Sequence, residues 1–101
     1  MVGHGEVEAY RILLLIVRSL VDDPDAVRIE IALDSQSTIF HVSADERNTA
    51  LLLGRQGRTV QSIRTILAGI GMKARWRYQL EIEDNPSTEL PDGPGSRRRG
   101  S

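Results

Sequence analysis

The sequence contains no cysteine, so neither a disulfide framework nor a thiolate metal site can be built from it. Histidine occurs only twice, as His4 and His41, in different predicted elements, and no metal site is expected. The longest apolar run, Ile12 to Val17, falls far short of the roughly 20 residues needed to span a bilayer. The opening segment MVGHGEVE is acidic and lacks the basic start of a signal peptide, so a cytoplasmic location is expected. No internal repeat and no phosphate-loop motif of the G-x-x-x-x-G-K-[ST] form is present. Gly69-Ile70-Gly71 with Ala74 has the spacing of a dinucleotide fingerprint. It follows a helix and precedes a strand, however, which is the reverse of what that motif requires. Acidic residues are missing altogether between positions 47 and 80, where seven bases stand: Arg47, Arg55, Arg58, Arg64, Lys73, Arg75 and Arg77. The net charge of −1 therefore hides a basic middle between an acidic first part and a mildly acidic end, and such segregation points to a local anionic partner.

What is there is enough for one domain. The chain has 101 residues, 40% of them apolar, which supports a single modest core. Residues 6–21 carry apolar side chains at the three- and four-residue spacing of an amphipathic helix, and Asp22-Asp23-Pro24 stops it. Ile12, Leu15 and Ile16 widen the apolar stripe beyond one core contact and suggest a pairing face. Val27 to Asp34 and Thr38 to Ser43 alternate as two strands joined by a polar turn. Ser43 and Glu46 have capping-box spacing ahead of a helix from Arg47 to Leu53. A second helix is expected from Arg58 to Ile70, with Gly69 and Gly71 as C-terminal caps. The alternation from Met72 to Glu83 reads as the last strand, placing Lys73, Arg75 and Arg77 on one face and Trp76 and Tyr78 on the apolar one. The domain is expected to end at residue 84, and the Pro-, Gly- and Arg-rich stretch 85–101 reads as a disordered charged tail. The order α-β-β-α-α-β makes an α+β domain, a three-stranded sheet with helices packed on one face.

Gly54-Arg55-Gln56-Gly57 lies between two helices. A glycine at each end lets a phosphate backbone come close to the main chain, and the next helix offers its N–H groups and positive dipole end. A bare G-x-x-G is weak evidence, because glycine is common in helix-to-helix turns. Between helices, flanked by arginines and in this element order, it is strong. LLLGRQGRTVQSIRTIL resembles the KH signature: an apolar residue, G-[KR]-x-G-R-[TI], and a helix bearing Ile63-Arg64. SLVDDPDAV, residues 19–27, resembles the matching segment of the small bacterial single-KH proteins of the KhpA (YlqC) family. The likeness covers about residues 7–83.

The resemblance implies a type II KH domain that binds single-stranded RNA without catalysis, as an RNA chaperone or post-transcriptional regulator. It also implies self-association, or pairing with a KhpB (Jag)-like KH protein. Ribosome association or a role in ribosome assembly is the other class kept open. Gly54, Arg55, Gln56, Gly57, Arg58, Thr59 and Arg64 are the RNA-contacting positions the motif marks. Lys73 and Arg75 join them if their strand face borders the cleft. Leu52, Leu53 and Ile63 are expected to floor it. No cofactor is expected.

Overall fold

The computed structural model describes residues 6–84, which form three helices and three strands in the expected order. The charged stretch 85–101 and His4 lie outside the described residues. Helix α1 (Glu6–Leu20) buries Ala9, Leu13 and Val17, one stripe of an amphipathic surface. A single 3₁₀ turn, Pro24–Ala26, then leads into strand β1 (Arg28–Leu33). β1 and β2 (Ser37–Ala44) pair as an antiparallel hairpin, with Ile29 opposite Val42 and Ile31 opposite Phe40. Asp34 shapes the turn. Its Oδ1 accepts the N–H groups of Gln36 and Ser37 at 2.9 and 2.8 Å and the Ser37 hydroxyl at 3.0 Å.

Strand β3 (Arg77–Asp84) runs parallel to β2, so the sheet is mixed, in the order β1-β2-β3. Parallel neighbours need a long crossover, and helices α2 (Glu46–Leu53) and α3 (Arg58–Ala74) supply it. All three helices cover the same face. Leu13 and Val17 from α1, Leu52 from α2, and Ile63 and Leu67 from α3 close on Phe40, Val42, Tyr78 and Leu80. The opposite face presents Arg28, Glu30, His41, Gln79 and Glu81 to water or its margin, and His41 Nδ1 sits 3.3 Å from Glu81.

Several sequence-based placements are corrected. α3 does not stop at Ile70 but runs to Ala74, so Met72 and Ala74 are helical and β3 begins only at Arg77. Lys73 and Arg75 therefore do not share a strand face with Arg77. Lys73 is in the last turn of α3, and Arg75 ends it in the left-handed region at φ 58. Gly69 and Gly71 are inside the helix rather than caps. Gly71 is there for another reason, since a Cβ on it would overlap the Trp76 carbonyl oxygen. The expected Ser43–Glu46 capping box is replaced by Asp45, whose side chain accepts from Asn48 N, while Ser43 belongs to β2. Leu52 and Ile63 are core residues, 0% and 3% exposed, so they cannot floor an open cleft; of the expected trio only Leu53 reaches the surface.

Candidate nucleic-acid interface

The G-x-x-G loop is carried by α2, and α2 is held at its start by one buried side chain. Asn48 is fully buried; its Oδ1 accepts from the Asp22 and Asp23 N–H groups at 3.0 and 3.4 Å, and its Nδ2 donates to Asp45 Oδ1 at 2.8 Å. This latch ties the end of α1 to the beginning of α2. Thr49 Oγ1 adds a bond to the Ala44 carbonyl at 3.1 Å. Neither contact was legible as a support for the loop, because an asparagine in a first helical turn looks the same in sequence whether it faces water or the core.

Beyond Leu53 the chain makes a tight turn through three left-handed or related positions: Gly54 at φ 77, Gln56 at φ 57 and Gly57 at φ 74. Gly54 N–H donates to the Ala50 carbonyl at 3.0 Å and Gly57 N–H to the Gly54 carbonyl at 3.1 Å. The two glycines serve different ends. A Cβ on Gly54 would overlap the Thr59 side chain, which packs against it. A Cβ on Gly57 would meet nothing within 4 Å. Gly57 is the N-cap of α3 and offers no side-chain cap; the Arg58 N–H is met by the Arg55 carbonyl, and open space stands where a Cβ on Gly57 would be. Gln56 adopts its conformation without being glycine, at a cost of about 1 kcal/mol, and strain of this kind gathers at functional loops.

Charge completes the picture. Arg55, Gln56 and Arg58 are exposed around the turn. Thr59 is half-buried under Gly54 and acts from inside the loop. Arg64 donates through Nε and Nη2 to the Leu80 carbonyl at 3.3 and 3.2 Å, committing two of its five N–H donors to fastening α3 to β3. Arg47 pairs with Asp22 at 2.7 Å. Lys73 and Arg75 are not brought to the loop. At 1.5 Å per residue, Lys73 is about 22 Å from Arg58 along α3. Among the described residues no three His, Cys, Asp or Glu side chains group as metal ligands, and no helix is long and apolar enough to cross a membrane.

The model of the KhpA/KhpB KH domain matches residues 11–82, which takes in most of α1, the loop and nearly all of β3. The chain belongs to the KhpA/KhpB family of KH domains. Its α-β-β-α-α-β order and mixed sheet are those of a type II KH domain. Among curated relatives, RNA-binding protein KhpA of Borreliella burgdorferi is 38% identical over 69 residues, 68% of this chain and 84% of that protein. RNA-binding protein KhpA of Bacillus subtilis is 33% identical over 73 residues, covering 72% of this chain and 90% of its own length. RNA-binding protein KhpA of Chlamydia pneumoniae is 33% identical over 70 residues, covering 69% and 90%. No solved structure matches the chain. Family membership thus places the loop, the α2–α3 pair and the sheet inside the shared KH unit.

Proposed function

We propose that this chain binds single-stranded RNA without catalysis, gripping the phosphate backbone at Gly54–Gly57. The observation that carries the reading is the start of α3 at Gly57, which no side chain caps. There a phosphate can approach the helix end over a Gly57 with open space where a Cβ would stand and between the exposed cations Arg55 and Arg58. The names of the family relatives, RNA-binding protein KhpA, support the same ligand. The clamp holds about four nucleotides along their phosphates. Gly54 and Thr59 pack together within the loop, Arg64 fastens α3 to β3, and Arg55, Gln56, Gly57 and Arg58 face the RNA. Such a grip suits a cytoplasmic RNA chaperone or post-transcriptional regulator. Titration with a short single-stranded RNA at two ionic strengths tests the reading. Affinity is expected to fall steeply with salt, at a slope of about −0.7 for each phosphate contact. Binding that ignores salt, or no binding, overturns it.

A second reading rests on α1. Val7, Ile12 and Leu15 are 58%, 39% and 67% exposed on that helix, an apolar surface the described fold does not cover. We infer that this surface pairs with another KH domain, a second copy or a KhpB-like protein, and that RNA binding is done by the pair. Sedimentation equilibrium at micromolar concentration is expected to show more than one 11.2 kDa chain. A single-chain mass would rule out self-pairing, and co-sedimentation with ribosomal particles would favour an assembly role instead.

A further inference from the structure

At the other end of α3, Arg75 and Arg77 stand at an open groove of about 450 Å³ lined also by Gln36, Ala68, Gly71, Met72, Trp76 and Tyr78. No acidic residue lines it. Met72 is 80% exposed, a large apolar side chain that the described fold leaves uncovered. Trp76 is half-buried, and its indole N–H donates to Thr38 Oγ1 at 2.8 Å, which fixes the plane of the ring. Arg75 and Arg77 are exposed. Burial, with the Glu6 and Glu8 carboxylates nearby, pushes the ionisation of the Tyr78 hydroxyl upward, so it adds no negative charge at neutral pH. Asp34 is the acid that acts on Arg77, and its oxygen is already taken by Gln36 and Ser37.

We propose that this groove is a second RNA subsite, taking a base against Met72 and Trp76 and its phosphates on Arg75 and Arg77. The inference rests on the RNA-binding reading of the loop. An aromatic ring beside cations is a sequence-tolerant way in which single strands are held. Charge complementarity selects the occupant. Both ends of α3 are basic and no residue of the helix is acidic, so the helix itself sets no negative charge against the phosphates of a strand lying along it. The loop and the groove are separated by about 20 Å of helix, so an RNA filling only the loop cannot reach the groove. RNA length then becomes a determinant of affinity.

The test compares the full chain with its Met72→Glu and Arg77→Thr variants, both at exposed positions. Each is titrated with one RNA of about four nucleotides and another about three times as long. The longer RNA is expected to bind the wild-type chain more tightly, by about tenfold, and Met72→Glu to remove that gain while leaving the short RNA unaffected. Arg77→Thr is expected to make the salt slope for the long RNA shallower by about 0.7. Equal affinity of the two RNAs for wild type, with both variants unchanged, overturns the subsite while leaving the loop reading intact. Loss of all RNA binding by wild type defeats the loop reading first. A fall in sedimenting mass for Met72→Glu without any change in RNA affinity makes the groove an interface between copies and also overturns the subsite.

Discussion

Helix α3 follows Gly57, at φ 74, and hands over to Arg75, at φ 58, so both its ends turn through left-handed backbone. At the C-terminal end the turn is closed by contact. The Arg75 N–H donates to helix carbonyls, Trp76 N–H donates to the Gly71 carbonyl at 3.0 Å, and the chain folds straight back onto α3 as it enters β3. At the N-terminal end the turn is closed by its own backbone hydrogen bonds and by Thr59 against Gly54, while open space stands where a Cβ on Gly57 would be. The same backbone device therefore serves packing at one end and access at the other. A glycine with a neighbour where its Cβ would be is there for the fold. A glycine with nothing there, at positive φ, is free to face a ligand.

Substitution of the glycines sharpens this contrast. The largest effect is expected for Gly71→Ala, whose methyl overlaps a backbone oxygen that cannot swing away; a loss of about 3 kcal/mol or more is expected in urea unfolding. Gly69→Ala, two residues earlier on the same helix with open space around it, is expected to stabilise by about 1 kcal/mol. Equal effects would dissolve the distinction between packed and open glycines. Next comes Asn48→Ala, which leaves the Asp22 and Asp23 N–H groups without their acceptor and should cost about 2–4 kcal/mol, with a visible fall in melting temperature. At the loop, Gly54→Ala combines left-handed strain with the overlap on Thr59 and should cost about 2–3 kcal/mol. Gly57→Ala carries the strain alone, about 1–2 kcal/mol, and the two can be read side by side in thermal melts. The smallest effect is expected for ending the chain after Asp84. All buried apolar residues of the described fold fall between Ala9 and Leu80, so the unfolding midpoint should not move by more than a few degrees.

Much of this was readable in the residues, and the failures have physical causes. The order of elements, the three-stranded sheet with helices on one face and the loop followed from periodicity and from glycines at motif spacing. The junction of α3 and β3 did not. Met72, Ala74, Trp76 and Tyr78 alternate as a strand would, yet Leu67, Gly71 and Ala74 also keep helical spacing. Over five residues the two periods cannot be separated. Gly69 and Gly71 looked like stops because mid-helix glycine is costly. What retains Gly71 is the Trp76 carbonyl, a contact between segments that no local pattern contains. The misplacement of Lys73 and Arg75 follows from the same junction; Lys73 belongs to the last turn of α3 and Arg75 to the groove beside it. In sequence Leu52 and Ile63 read as an apolar cleft floor beside the loop. The fold uses both to seal the helices against the sheet.

The proposed grip on RNA depends on the Gly54–Gly57 loop. Arg55→Asp combined with Gln56→Asp puts two negative charges on side chains that are exposed in the fold, so neither is buried and the domain should stay intact by circular dichroism. Phosphate would have to approach those charges within hydrogen-bond distance, with the Arg55 cation gone. RNA titration of the wild-type and doubly substituted chains at two ionic strengths should show tight, salt-sensitive binding by the first and weak binding by the second at both. A folded double variant that binds RNA as tightly as wild type would show that Gly54–Gly57 is only a turn between two helices.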